Sequence, residues 1–141
     1  HFVLSGKEMD NIDFRPVRGL EGVKEADVTI GDLTVKVAVT NALKNVQKLL
    51  DDIRDGKSPY QFVEVMACPG GCINGGGQPL PSTIEKTEKR MQGIYKIDSG
   101  LPKRCSHQNE SIQKLYKEFL GEPNSHKAHD LLHTHYINRS E

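Results

Sequence analysis

The first forty residues read as strands, and from Val28 to Val39 the apolar side chains alternate: Val28 and Ile30, then Leu33, Val35, Val37 and Val39, with polar or small residues between them. The phase shifts across Gly31-Asp32, a pair suited to a two-residue hairpin turn, so the pattern predicts two antiparallel strands joined there. From Ala42 to Ile53 the period lengthens, and Ala42, Leu43, Val46, Leu49, Leu50 and Ile53 mark one buried helix face. Asn41 is the expected N-cap of that helix and Gly56 its expected stop. Phe62, Val63 and Val65 then form a short apolar run that reads as a buried strand, ending where Cys68-Pro69-Gly70 must leave regular structure.

Residues 68–81 are rich in glycine and proline and read as a loop whose backbone can approach a ligand closely. Ser82 and Glu85 have capping-box spacing, and a helix is expected to run through Ile84, Met91, Ile94 and Tyr95 to about Asp98. Asn109 should cap a helix that packs Ile112, Leu115, Tyr116 and Phe119 and closes at Gly121. A last helix, Ser125 to Tyr136, offers Ala128, Leu131 and Leu132 to a core. Strands, helix, strand, glycine loop and three helices make the fold class α/β.

At 141 residues the chain is the size of one domain. No apolar run approaches the roughly 18 residues of a membrane span, so a membrane protein is excluded. Nineteen basic residues balance nineteen acidic ones, which removes the electrostatic footprint of a nucleic-acid binder. Three cysteines, two of them closely spaced and preceded by no signal peptide, fit reduced thiols in a cytoplasmic protein better than a disulfide scaffold. The chain starts with His1 rather than Met, which suggests a piece of something larger.

The chemistry concentrates between Glu64 and Pro79. Cys68 and Cys72, at CxxxC spacing in a glycine-rich turn, can converge on one metal centre, because glycines leave room and free N–H groups for cluster sulfides. Soft ligands imply zinc or iron–sulfur, and either closed site needs four. The competing reading makes them two small buried residues in a turn. Cys105 lies thirty-three residues beyond Cys72 with no fourth ligand spaced to join it, and reads as an unligated thiol. His129 and His133 have the i, i+4 spacing that binds zinc, but the acid of an HExxH motif is absent, and histidines packing a helix are the preferred reading. Gly75 to Gly77 lack the Lys-Ser or Lys-Thr of a phosphate loop. Glu64 reads as a structural partner at a strand edge ahead of a proton carrier.

The run MACPGGCINGGGQP closely resembles the third signature motif of the iron-only (FeFe) hydrogenase catalytic subunit. The likeness covers essentially the whole chain. FRPVRGLEGVKEADVTI and the stretch before the first long helix resemble that family's last strand-rich segment, and SHQNESIQKLYKEFLGEPNSHKAHDLLHTHY resembles its C-terminal helical tail, a separate small subunit in some members. On this basis residues 1–81, with the cluster loop at 64–79, are expected to belong to the C-terminal lobe of the H-cluster domain, and residues 82–141 to the small-subunit-like tail. Two departures stand out: Asn41-Ala42 where many members carry His-Gly, and Cys105 where a basic residue is common.

The resemblance implies an H-cluster, a 4Fe–4S cubane bridged to a diiron subsite with carbonyl, cyanide and dithiolate ligands. By position in the motif, Cys68 would ligate the cubane, and Cys72 would ligate it and bridge to the diiron subsite. Met66 matches a family residue packed beside that subsite. The implied activity is reversible interconversion of protons and electrons with dihydrogen, with the remainder of the catalytic subunit as one partner and ferredoxin or a nicotinamide-reducing flavoprotein as the electron partner. The family's other two cluster-cysteine signatures are expected N-terminal to His1, so the 141-residue chain alone is expected to be inactive. A non-catalytic or sensory iron–sulfur member of the family would carry the same residues.

Overall fold

A computed structural model of the chain describes residues 1–139. The described residues form two compact units, His1–Asp98 and a second beginning at Ser99. In the first, a single turn α1 (Phe2–Ser5) precedes strands β1 (Val23–Ile30) and β2 (Leu33–Asn41), helix α2 (Leu43–Arg54), strand β3 (Phe62–Met66) and helix α3 (Ile84–Ser99), whose last residue lies past the boundary. β1 and β2 pair antiparallel from Val23↔Thr40 to Ile30↔Leu33, and the hairpin turns at Gly31-Asp32, with Gly31 at φ 59°. β3 joins the other edge of β2 in parallel, Val37↔Phe62 to Asn41↔Met66, with α2 as the crossover. The α/β class expected from the sequence is the one observed.

Burial differs from the expected pattern in instructive ways. Ala38 and Thr40 are the fully enclosed residues of β2, and Val35, Val37 and Val39 are half-buried. A central strand beside a helical crossover has both faces covered, so alternation does not mark its inner face. Thr40 is tolerated there because its hydroxyl donates to the Gly22 carbonyl at 2.8 Å. Of the expected stripe Ala42, just ahead of α2, and Val46 and Leu49 within it are buried, whereas Leu43, Leu50 and Ile53 are exposed. β3 is an edge strand, so Phe62 and Val65, expected to be buried, are exposed. Asn41 is not the N-cap of α2. It ends β2, and Ala42 occupies the cap position at φ 61° with no side-chain cap bond.

The Ser82–Glu85 capping box does not form. The Thr83 hydroxyl instead accepts the Lys86 N–H at 3.3 Å, and the Ser82 hydroxyl donates to Asn74 in the glycine loop. α3 is held to the N-terminal segment through Arg18, whose guanidinium lies 4.4 Å over the Tyr95 ring and 3.8 Å from the Asp98 carboxylate.

In the second unit α4 (Glu110–Leu115) runs into a π-helical turn, Tyr116–Leu120, that stops at Gly121 (φ 84°). Asn109 caps α4 as expected, accepting the Ser111 N–H at 2.9 Å. α5 (His126–Leu132) is capped by Ser125, whose hydroxyl accepts the Ala128 N–H at 3.2 Å and donates to the Leu120 carbonyl at 2.6 Å, tying together the two buried residues of this unit, Leu120 and Ala128. The helix stops four residues short of the expected Tyr136, because His133 is extended, and Leu131 and Leu132 are exposed. His129 and His133 are exposed as well, so they do not pack α5 into a core. Among the described residues no helix is long and apolar enough to cross a membrane.

Candidate metal centre

β3 delivers the chain to Met66, and the polypeptide then turns through Cys68, Pro69 and two glycines in left-handed backbone, Gly70 at φ 78° and Gly71 at φ 91°. The Gly71 N–H donates to the Cys68 carbonyl at 3.0 Å. Cys72–Asn74 form a 3-10 turn, closed by the Gly75 N–H on the Cys72 carbonyl at 3.1 Å. Both cysteines are free thiols, Cys72 exposed and Cys68 half-buried. A Cβ on Gly75 would lie 3.4 Å from the Cys68 Sγ and 3.2 Å from the Cys72 carbonyl oxygen. One on Gly71 would meet the Met66 Sδ at 3.4 Å. Glycine is therefore required at 71 by its backbone angle, and at 75 it keeps space clear beside the Cys68 thiol.

Two asparagines outside the cysteine pattern fix this loop. The Asn41 Oδ1 accepts the Gly70 N–H at 2.9 Å, while its amide donates to the Glu21 carbonyl at 2.5 Å. The Asn74 amide donates to the Pro69 carbonyl at 3.0 Å, and its Oδ1 accepts from the hydroxyls of Ser82 and the buried Thr87. Sequence reasoning read Asn41 only as a helix cap and did not single out Asn74. The signal available for both was a short polar residue bordering a glycine run whose backbone donors need partners.

Behind the loop lies a cavity of about 260 Å³ whose lining includes Lys24, Val39, Glu64, Met66, Cys72 and Tyr95. Lys24, Val39 and Glu64 are cross-strand neighbours, which sets them on one face of the sheet. Lys24 is buried and donates to the Gly19 carbonyl at 2.8 Å. Burial lowers its pKa from the usual lysine value, against the opposing pull of Glu64 and Glu21. Met66, of the predicted site residues, thus lines the same cavity as Cys72, and Cys68 stands on the Gly75 side of the turn. Cys105 falls in the second unit.

Known proteins resemble this chain in sequence and fold. The family described as "Iron only hydrogenase large subunit, C-terminal domain" matches residues 1–76. The chain belongs to the iron-only hydrogenase family. Residues 84–139 match a second family, "Iron hydrogenase small subunit". A subunit of the NADP-reducing hydrogenase of Solidesulfovibrio fructosivorans is 46% identical over 138 residues, 97% of this chain and 23% of that one. The cytosolic Fe-S cluster assembly factor narfl of Danio rerio is 36% identical over 133 residues, 94% of this chain and 30% of that protein. Among solved structures, a variant of the FeFe-hydrogenase HydA1 from Chlamydomonas reinhardtii superposes with a TM-score of 0.72 at 36% identity, over 96% of this chain and 41% of that one. The chain thus spans about a quarter of the length of these curated relatives.

The donor set fits half of an iron–sulfur centre. Two free thiols bracket a turn that keeps the space beside Cys68 free of side chains, and a thioether stands at the cavity wall. A cubane needs four ligands, and the loop offers two thiols toward such a set.

Proposed function

We propose that this chain supplies Cys68 and Cys72 to the H-cluster of an FeFe hydrogenase that reversibly interconverts protons and electrons with dihydrogen. The observation that carries this reading is the pair of free thiols on a turn whose glycines leave Cys68 unobstructed and set Met66 against Gly71. Cys68 would hold the cubane, and Cys72, exposed at the mouth of the cavity, would hold it and bridge to the diiron subsite. When bound, the cluster supplies the redox and dihydrogen chemistry.

The chain's own residues do the rest. Soft thiolates match iron, where a hydroxyl would not. Gly71 and Gly75 let backbone come within contact of the sulfur atoms. Met66 presents a polarizable, apolar surface that excludes water without competing as a strong ligand. Asn41 and Asn74 keep the turn from relaxing. The buried Lys24 contributes fixed positive charge to the wall of the cavity.

The remaining cluster ligands come, in this reading, from the remainder of the catalytic subunit, against which the exposed Leu43, Leu50, Phe62 and Val65 would pack. Residues 1–81 are then the C-terminal segment of the H-cluster domain and residues 82–141 the small-subunit-like tail. The electron partner is ferredoxin or a nicotinamide-reducing flavoprotein, the latter favoured by the NADP-reducing relative, and the free thiols suit the cytoplasm.

A second reading follows from the likeness to the assembly factor: an iron–sulfur protein of the same fold without turnover. Infrared spectroscopy of the complete subunit separates the two. Carbonyl and cyanide bands together with dihydrogen evolution support the hydrogenase. An iron–sulfur protein matured alongside an active hydrogenase yet lacking those bands supports the second reading.

A further inference from the structure

A buried ammonium without a contact counter-ion stands on the wall of the cavity behind the cysteine loop. Lys24 is 5% exposed, and its Nζ donates to a neutral acceptor, the Gly19 carbonyl, at 2.8 Å. Its charge attracts Glu64 and Glu21, yet no ion pair forms at this nitrogen among the described residues. Glu64 shares the face of the sheet but belongs to β3, with Val39 of β2 between it and Lys24. Strands about 4.8 Å apart set the two backbones about 10 Å from each other. Glu64 is also exposed, so water screens it.

Taking a cation out of water is costly when no anion is paired with it, and a hydrogen bond to one carbonyl needs a donor, not a charge. The counter-charge is found across the cavity, whose lining joins Lys24 to Met66 and Cys72. An iron–sulfur cluster on thiolates is anionic, and its reduction potential follows the charge, hydrogen bonding and solvent around it. Val39, Met91 and Ile94 make much of the same wall apolar, which leaves the field of Lys24 less screened than in water.

We propose that Lys24 is the positioning residue that sets the reduction potential of the iron–sulfur centre at Cys72: its fixed positive charge favours the reduced, more negative state, and Glu64 opposes it. One electron enters the cluster from the electron partner. No bond to Lys24 forms or breaks, and its proton stays on Nζ. Lys24 plays this part only if Cys68 and Cys72 hold the cluster, whether or not that cluster turns over dihydrogen.

The test is a dithionite titration of the complete subunit, reconstituted with iron and sulfide, with the reduced cubane read by electron paramagnetic resonance. Lys24→Met keeps the length of the side chain and removes its charge. It should disfavour reduction about tenfold, a fall of about 59 mV for one electron. Lys24→Arg keeps the charge and should restore most of the potential. Glu64→Gln should raise the potential by less, because its carboxylate is exposed. Lys48→Met, on the exposed side of α2, should leave it unmoved. Equal potentials in Lys24→Met and unsubstituted subunits of equal iron content, or equal shifts in Lys24→Met and Lys24→Arg, would overturn the proposal. If Lys24→Met does not keep its iron, Glu64→Gln decides, and a potential no higher than that of the unsubstituted subunit overturns it. An unsubstituted subunit that takes up no iron would instead remove the cluster from the loop, and this role of Lys24 with it.

Discussion

The side-chain oxygen of Asn41, at the last position of β2, accepts the backbone N–H of Gly70 at 2.9 Å, joining the centre of the sheet to the turn between the two cysteines. Asn41 is 3% exposed, and its one side chain is the partner of both that N–H and the Glu21 carbonyl. Asn41→Leu should lower stability by about 1–3 kcal/mol through the unpaired groups it leaves. The measurement is chemical denaturation of the chain, paired with iron content of the complete subunit, which should also fall. Unchanged values of both would mean that the loop holds its shape without Asn41.

The next residue carries backbone strain. Ala42 sits at φ 61° and ψ 124°, a conformation costly for any residue with a Cβ, and the family resemblance puts glycine there. Ala42→Gly should raise stability by about 1 kcal/mol, the relief of strain exceeding the added flexibility of the unfolded chain. A rise in the denaturation midpoint at constant m-value is the expected result. A fall would show that the turn is not strained.

Gly75 and Gly76 are sequence neighbours with different surroundings. Gly75 has φ −77°, which alanine adopts freely, so the effect of Gly75→Ala is steric: its methyl presses on the Cys68 Sγ and the Cys72 carbonyl. Nothing lies within 4 Å of a Cβ on Gly76. In the complete subunit Gly75→Ala should therefore lower iron content and Gly76→Ala should not. Equal loss in both would assign the sensitivity to backbone flexibility in place of space beside the thiol.

Tyr60 and Glu25 give a pH signature remote from the cysteines. The phenol donates to the Glu25 carboxylate, which pushes the Tyr60 pKa up to about 12 and lowers that of Glu25. A raised pKa contributes stability that is complete below the unfolded value of 10.0 and lost as pH climbs toward about 12. The depressed Glu25 pKa contributes stability present above the ordinary carboxylate value of 4.5 and lost as pH falls through the lowered one. Urea midpoints should therefore drop more steeply for the unsubstituted chain than for Tyr60→Phe between pH 10 and 12, and converge at both extremes. Parallel curves would exclude the pair.

What the sequence disclosed and what it withheld follow from the range of the interactions. The Gly31-Asp32 hairpin, the 43–54 helix and the Asn109 cap are governed by neighbours a few residues apart, and they form as the pattern predicts. The cysteine motif was legible because its residues are contiguous. Asn41 was misread because it is twenty-nine residues from Gly70, and a polar residue before a helix has local uses enough to satisfy a sequence-based expectation. The Ser82 hydroxyl went to Asn74 for the same reason: a tertiary acceptor outcompeted the local cap. The exposed Leu50, Phe62 and Val65 carry the apolar pattern of a core, yet nothing in periodicity tells which chain segment covers them.

The central claim is that Cys68 and Cys72, and not Cys105, hold the cluster. Its most direct test is iron content together with infrared carbonyl bands for Cys68→Ser, Cys72→Ser and Cys105→Ser in the complete subunit. Cys72→Ser should abolish the carbonyl bands and dihydrogen evolution, because a hard hydroxyl replaces the soft bridging thiolate. Cys68→Ser should reduce iron in the cubane, and Cys105→Ser should leave bands and iron as in the unsubstituted protein. A Cys72→Ser subunit that keeps its bands, or a Cys105→Ser subunit that loses its iron, would contradict the account.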